Sequence, residues 1–206
     1  ITGSRQIGKT TMLQKLMKGT TRNYVTLDDL TERALAQNDP EMFLQLHKPP
    51  ILIDEVQYAP QLFTYIKIHA DRNQRPGDFW MTGSQSFKLM KLAGEFPHDG
   101  NTLIIDGGDT IQGSPLTNLY QRLSPEEKAS CLTSDAYGTH PIAAMMNLAG
   151  YQFVTLGNHD FNYGIPALLD YLTNLDAICL CANIRDKEGL LPVAPYAVHQ
   201  LENGLR

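Results

Sequence analysis

The sequence predicts an α/β fold of two successive modules, each with parallel strands joined by helices. Short, unbroken apolar runs carry that expectation. Ile51-Leu52-Ile53, Leu103-Ile104-Ile105 and Phe153 to Leu156 read as strands buried on both faces, and all three close on polar residues: Asp54-Glu55, Asp106-Gly107-Gly108-Asp109 and Gly157-Asn158-His159-Asp160. Between such runs, apolar residues recur at steps of three and four, the helical period. A stretch rich in structure breakers, Ala93-Gly94-Glu95-Phe96-Pro97-His98-Asp99-Gly100, interrupts the alternation, and a new one starts after it. Residues 1–95 are therefore one expected module and residues 96–206 the other.

Each element has its own signal. Ile1-Thr2 is a strand stub, followed at once by Gly3-Ser4-Arg5-Gln6-Ile7-Gly8-Lys9-Thr10. Met12, Leu13, Leu16 and Met17 then predict a helix that Gly19 stops. Tyr24 to Leu27 is a short strand leading into Asp28-Asp29. Asp39-Pro40-Glu41 combines a capping side chain, a rigid first residue and an acidic first turn, and Pro49-Pro50 ends the helix it starts. Leu62, Tyr65, Ile66, His69 and Ala70 predict an amphipathic helix. Pro76-Gly77 is a turn, and the strand Phe79 to Thr82 runs into Gly83-Ser84-Gln85. In the second module, Ser124-Pro125-Glu126-Glu127 starts a helix. Ile142, Met145, Met146 and Ala149 form the apolar face of another, which Gly150 closes. Ile165 to Leu172 is helical, and Ala177 to Ala182 is a strand.

Composition narrows the function classes. Lys plus Arg number 17 and Asp plus Glu 22, a formal charge of −5, so there is no basic footprint for nucleic acid and no basic run for a membrane surface. No apolar stretch approaches the ~18 residues of a membrane span, and the first residues do not read as a signal peptide; a cytoplasmic protein is expected. Cys131, Cys179 and Cys181 cannot build a disulfide framework, and Cys179-x-Cys181 in its apolar run reads as buried thiols.

Gly3-x-x-x-x-Gly8-Lys9-Thr10 matches the phosphate-binding loop pattern in full. Its glycines let backbone N–H groups turn inward around phosphate oxygens at a helix start, where Thr11 follows as a further nucleotide-binding candidate. Lys9 is expected to reach the β- and γ-phosphates, and the Thr10 hydroxyl to ligate Mg²⁺. Asp54 would hold that Mg²⁺ through water, and Glu55 would polarise the attacking water. Ser84 or Gln85 is placed to sense the γ-phosphate. The bland alternatives are a solvated helix-start lysine and a polar strand end. Together the segments GSRQIGKTT, YVTLDDL, ILIDEVQYAP and TGSQSFKLM resemble bacterial and archaeal AAA-like P-loop ATPases over residues 1–95. The resemblance implies ATP with Mg²⁺ as ligand. No counterpart of that family's arginine finger is identifiable, so nucleotide binding is expected, with at most slow hydrolysis.

The second module carries a different set. Asp109 and Asn158 offer hard oxygen ligands for a divalent metal at the ends of two apolar strands, and His159 is an imidazole suited to stabilising a phosphoryl transition state or protonating a leaving group. LIIDGGDTIQGSPL, GYQFVTLGNHDFNYG and the CANI run resemble calcineurin-like metallophosphoesterases over residues 98–206, most closely the 5′-nucleotidase and 2′,3′-cyclic-nucleotide phosphodiesterase branch. The resemblance implies Asp109 as a metal-bridging carboxylate, Asn158 as a second-metal ligand, His159 as the transition-state histidine, and a metal such as Mn²⁺ or Zn²⁺. The supporting carboxylate expected three positions after the histidine is Asn162 here, which leaves Asp160 as its candidate partner. His199 is expected in a strand, His140 at a helix entry, and His98 at the junction.

Three readings follow: a nucleotide-binding P-loop protein with an appended α/β segment, a metal-dependent nucleotide phosphoesterase, and a fused chain in which two incomplete modules perform neither reaction. Asp109 and Asn158 alone cannot fix a metal pair, so the second module is expected to show little turnover.

Overall fold

The structure is a computed structural model that describes residues 1–3, 8–73, 75, 77–84, 102–131 (backbone alone at 129–131), 140–184 and 191–201. The expected boundary after residue 95, together with Arg5, Gln6, Gln85 and His98, lies outside the described residues. The chain divides into two compact units, residues 1–102 with 200–206, and residues 103–199. Each has an all-parallel sheet, which establishes the α/β class.

The first unit's sheet has the order β1 (Asn23–Thr26), β2 (Ile51–Asp54), β3 (Phe79–Met81). Ile51, Leu52 and Ile53 in the central strand are each 0% exposed, as an unbroken apolar run on a doubly covered strand requires. Helix α1 (Lys9–Met17) follows the glycine loop, and α2 (Leu30–Asn38) and α3 (Pro40–Leu46) fill the crossover from β1 to β2. The Asp39 side chain accepts the Met42 N–H at 2.9 Å, capping α3 ahead of Pro40. Helix α4 (Leu62–Asn73) joins β2 to β3 and buries Leu62, Phe63 and Ile66. Tyr65, expected on that face, is instead largely exposed, because the buried stripe runs through Phe63. Leu27, Phe43, Val56 and Ala59 complete the core. At the opposite end of the strands, the Arg22 guanidinium donates to the carbonyls of Ile51, Gly77 and Asp78 and stacks on Trp80.

The second unit's sheet has the order β4 (Ile105–Asp106), β5 (Phe153–Thr155), β6 (Ile178–Leu180), β7 (Val193–Ala194). Its helices are α5 (Pro115–Arg122), α6 (Pro125–Cys131), α7 (Pro141–Leu148) and α8 (Ile165–Thr173). Strand β4 begins later than the run Leu103-Ile104-Ile105 predicts, because the Ile104 N–H is taken by the Gln152 side chain at 2.7 Å. Strand β6 is likewise shorter than Ala177–Ala182. Helix α6 opens on a reciprocal cap: Ser124 Oγ accepts the Glu127 N–H, and Glu127 accepts the Ser124 N–H. His199 does not lie in a strand; its ring meets Phe153 edge-on at 5.5 Å. Cys179 and Cys181 are buried free thiols, and burial pushes Cys179 up to about 12.

Candidate functional sites

In the first unit, parallel strands bring the functional loops to one edge of the sheet. The Ile1 nitrogen donates to the Met81 carbonyl at 2.6 Å, and the Gly83 N–H donates to the Ile1 carbonyl at 3.1 Å. The loop that opens with Gly3 therefore starts beside the end of β3. Gly8 has φ +86°, a left-handed conformation open to glycine, and stands immediately before α1. The buried Lys9 Nζ donates to the Gly3 carbonyl at 2.8 Å. Thr11 is exposed on α1.

Asp54 is the hub of this edge. Its carboxylate accepts the Thr10 hydroxyl, 2.9 Å from either oxygen. It also accepts the Tyr24 hydroxyl at 3.2 Å, the Glu55 N–H at 3.2 Å and the Thr82 hydroxyl. The Thr10 hydroxyl and the Asp54 carboxylate are both hard oxygen donors, the chemistry Mg²⁺ takes, with Thr10 placed to ligate directly and Asp54 through water. Glu55 sits at φ +55°, and its side chain accepts the Ser84 hydroxyl at 3.1 Å and the Gln57 amide. The structure thus brings Lys9, Thr10, Asp54, Glu55 and Ser84 to one strand edge. Tyr24 and Thr82 are the members that motif reading missed: neither belongs to a spacing pattern, and only the strand register delivers their hydroxyls to Asp54.

In the second unit, the β4 and β5 ends are tied together by Asp160. This fully buried carboxylate accepts four backbone N–H groups: Asp109 at 2.8 Å, Thr110 at 2.7 Å, Ile111 at 3.1 Å and Gly157 at 2.9 Å. Burial pushes its carboxyl up, against the pull of those donors. The expectation that Asp160 partners His159 is corrected here. Its lone pairs are occupied by main chain, and the residue beside the imidazole is Asn162, whose Nδ2 lies 3.0 Å from His159 Nδ1. Asn162 Nδ2 also donates to Gln112 at 2.6 Å.

The clamp holds Asp109 at φ +58°, and Asp109 Oδ1 accepts the His159 N–H at 2.8 Å. No side chain is tolerated at the crossing: a Cβ on Gly108 would stand 2.5 Å from the Gly157 nitrogen, and one on Gly157 would collide with Asp109 Oδ1. Asn158 and His159 are exposed on the short turn that follows β5. Asp109 and Asn158 supply two hard oxygen donors. Among the described residues no group of three or more His, Cys, Asp or Glu side chains is placed to hold a metal ion. A metal pair does not fit these residues alone.

His140 is the helix-entry residue expected, the N-cap of α7 ahead of Pro141, although its side chain makes no capping hydrogen bond. It is fully buried between the rings of Tyr120, 5.0 Å away, and Tyr171, 5.3 Å away. Among the described residues neither ring nitrogen has a hydrogen-bond partner. Burial pushes the imidazole down to about 4; Asp170 opposes that shift and Lys128 adds to it.

Residues 1–104 match the family described as an AAA domain, and the chain belongs to that family. Its curated relatives are nucleotide phosphoesterases and 5′-nucleotidases. The trifunctional nucleotide phosphoesterase YfkN of Bacillus subtilis is 31% identical over 168 residues, covering 76% of this chain and 11% of that protein. The crystal structure of that calcineurin-like phosphoesterase has 27% identity and a TM-score of 0.42, over 71% of this chain and 36% of its own. The 2′,3′-cyclic-nucleotide 2′-phosphodiesterase/3′-nucleotidase of Salmonella typhimurium is 31% identical, over 48% of this chain and 14% of that protein. The 5′-nucleotidase of Rattus norvegicus is 32% identical, over 51% of this chain and 15% of that protein. The chain therefore spans between about a tenth and a sixth of the length of these curated relatives. Among the described residues no helix is long and apolar enough to cross a membrane.

Proposed function

We propose that this chain takes part in metal-dependent hydrolysis of nucleotide phosphoesters, with Asp109, Asn158 and His159 of the second unit at the reacting centre. The observation that carries the reading is the clamp: Asp160 fixes the left-handed Asp109, whose carboxylate holds the His159 main chain at 2.8 Å. Such a junction keeps the acid and the His159 backbone in constant relation, and so presents the imidazole beside Asp109. The kinship with nucleotide phosphoesterases supports the substrate class. A divalent cation such as Mn²⁺ or Zn²⁺ would supply Lewis acidity, and Asp109 and Asn158 are the residues here with hard oxygen donors for it. The test is hydrolysis of 2′,3′-cyclic AMP by the full chain with excess Mn²⁺. Turnover that disappears in Asp109→Asn and His159→Ala is expected; absence of turnover in the unaltered chain overturns the reading.

A second reading applies to the first unit, and the Thr10–Asp54 contact favours it: this edge binds a nucleoside di- or triphosphate with Mg²⁺. Lys9 would meet the phosphates in exchange for the Gly3 carbonyl, Thr10 and Asp54 would hold the cation, and Glu55, kept by Ser84, would orient water for slow ATP hydrolysis. Glu55→Gln should abolish that hydrolysis while ADP still binds. Brisk hydrolysis unaffected by Glu55→Gln would contradict the assignment.

A further inference from the structure

We infer that Gln57 is a positioning residue for the ATP hydrolysis proposed for the first unit, an inference that rests on the reading of Glu55 as the group that orients water. A carboxylate offers two oxygens, and the one that holds water needs its lone pairs free of protein donors. At Glu55 the donors converge on a single oxygen. Oε2 accepts both the Ser84 hydroxyl, at 3.1 Å, and the Gln57 Nε2 amide. Among the described residues no donor is shared with Oε1. An ionised carboxylate only accepts, so Gln57 turns its NH₂ and not its oxygen towards Glu55. Ser84 and Gln57 thus occupy Oε2 from two sides and leave Oε1 as the oxygen with lone pairs for water.

The backbone suits that role. Glu55 lies in the left-handed region at φ +55° and ψ 41°, a conformation that a residue with a side chain keeps only where its neighbours hold it. The short turn Val56–Tyr58 follows at once, and Gln57 is its middle residue. The Val56 N–H donates to the Thr82 carbonyl at 2.9 Å, and the Tyr58 N–H donates to the Glu55 carbonyl at 3.1 Å. The first bond ties the turn to the strand end that leads to Ser84, so both donors and the acid share one fixed frame. That frame leaves the Glu55 side-chain torsions undetermined, and two donors on one oxygen are what set them. Gln57 Oε1 is buried with no hydrogen-bond partner among the described residues. The amide is therefore oriented by its contact with Glu55 and not by a partner for its own oxygen.

The test is steady-state ATP hydrolysis by the full chain with Mg²⁺, alongside calorimetric ADP binding, in the unaltered protein, Gln57→Met, Gln57→Glu and Glu55→Gln. Gln57→Met keeps the length of the side chain and removes the donor. It should lower kcat about threefold to tenfold, with KM and ADP affinity within about twofold, because the lost bond orients the acid and does not hold the nucleotide. Gln57→Glu keeps the size but sets a second carboxylate against the first, so its kcat should fall below that of Gln57→Met. A merely structural glutamine would change kcat and ADP affinity by one common factor in both variants; that result overturns the inference. If Glu55→Gln abolishes hydrolysis while Gln57→Met hydrolyses at the unaltered rate, the inference falls and the reading of Glu55 stands. If Glu55→Gln hydrolyses normally, or the unaltered chain hydrolyses no ATP, that reading falls and takes the inference with it.

Discussion

Asp54 and Asp160 are both buried carboxylates with four donors, yet their donors differ in kind. Around Asp54 three are side-chain hydroxyls, from Thr10, Tyr24 and Thr82, and one is a main-chain N–H. Around Asp160 all four are main-chain N–H groups. Hydroxyls rotate and exchange partners at small cost, whereas backbone donors are fixed by the fold. The first arrangement suits an acid that must accept a new partner, and the second suits an acid that ties two strand ends together. A buried aspartate next to a motif is therefore assigned by its donors, not by its position in the motif.

The contrast predicts its largest effect at Asp160. Asp160→Asn replaces one acceptor oxygen with an NH₂ that faces two backbone donors, and should destabilise the second unit by about 3–5 kcal/mol. Amide hydrogen exchange at Thr110 and Ile111 would report the loss, while the fluorescence of Trp80, the single tryptophan, follows the first unit. Unchanged protection at those amides would break the contrast.

Acid should separate the units next. His140 titrates at about 4 when folded, against 6.5 for the free side chain. Between those values the unfolded chain binds a proton that the folded chain refuses, so stability is complete above pH 6.5 and falls as pH drops towards 4. The loss should be on the order of 3 kcal/mol. Among the described residues its charged and titratable neighbours are Tyr120, Lys128, Asp170 and Tyr171, with Asp170 held by the Tyr120 hydroxyl at 3.0 Å. The urea midpoint of the second unit should fall with acidity in the unaltered protein and lose most of that dependence in His140→Leu. An equal dependence in both would assign the acid sensitivity elsewhere.

Smaller effects sharpen the first unit's side of the comparison. Lys9→Ala should weaken Mg²⁺-ADP binding by about tenfold to a hundredfold, the scale of lost hydrogen bonds between charged groups; equal affinity by calorimetry would contradict the site. Ser84→Ala, which frees Glu55 of one donor, should slow any ATP hydrolysis only several-fold, with ADP affinity retained.

Much of this was legible in sequence. The Ile51–Asp54 strand, the Asp39 cap and the alternation of elements follow from local patterns that the fold does not override. The glycine loop, Asp54, Glu55 and Ser84 were named together because their motif spacing reflects strand ends. Tyr24 and Thr82 were not, since they reach Asp54 only through lateral strand pairing. Asp160 was misassigned because adjacency to His159 in sequence says nothing about which way a buried carboxylate turns. His140 stands at a helix entry, as its proline neighbour predicts, but its burial is set by Tyr120 and Tyr171, 20 and 31 residues away.

We propose that phosphoester hydrolysis belongs to the second unit and nucleotide binding to the first. The most direct measurement is Mn²⁺-dependent phosphate release from 5′-AMP by the full chain, in the unaltered form, in Asp109→Asn and in Lys9→Ala. We expect Asp109→Asn to abolish release and Lys9→Ala to leave it within about twofold, because the Lys9 ammonium belongs to the other unit's loop. Release that survives Asp109→Asn, or that disappears in Lys9→Ala, would contradict that division of labour.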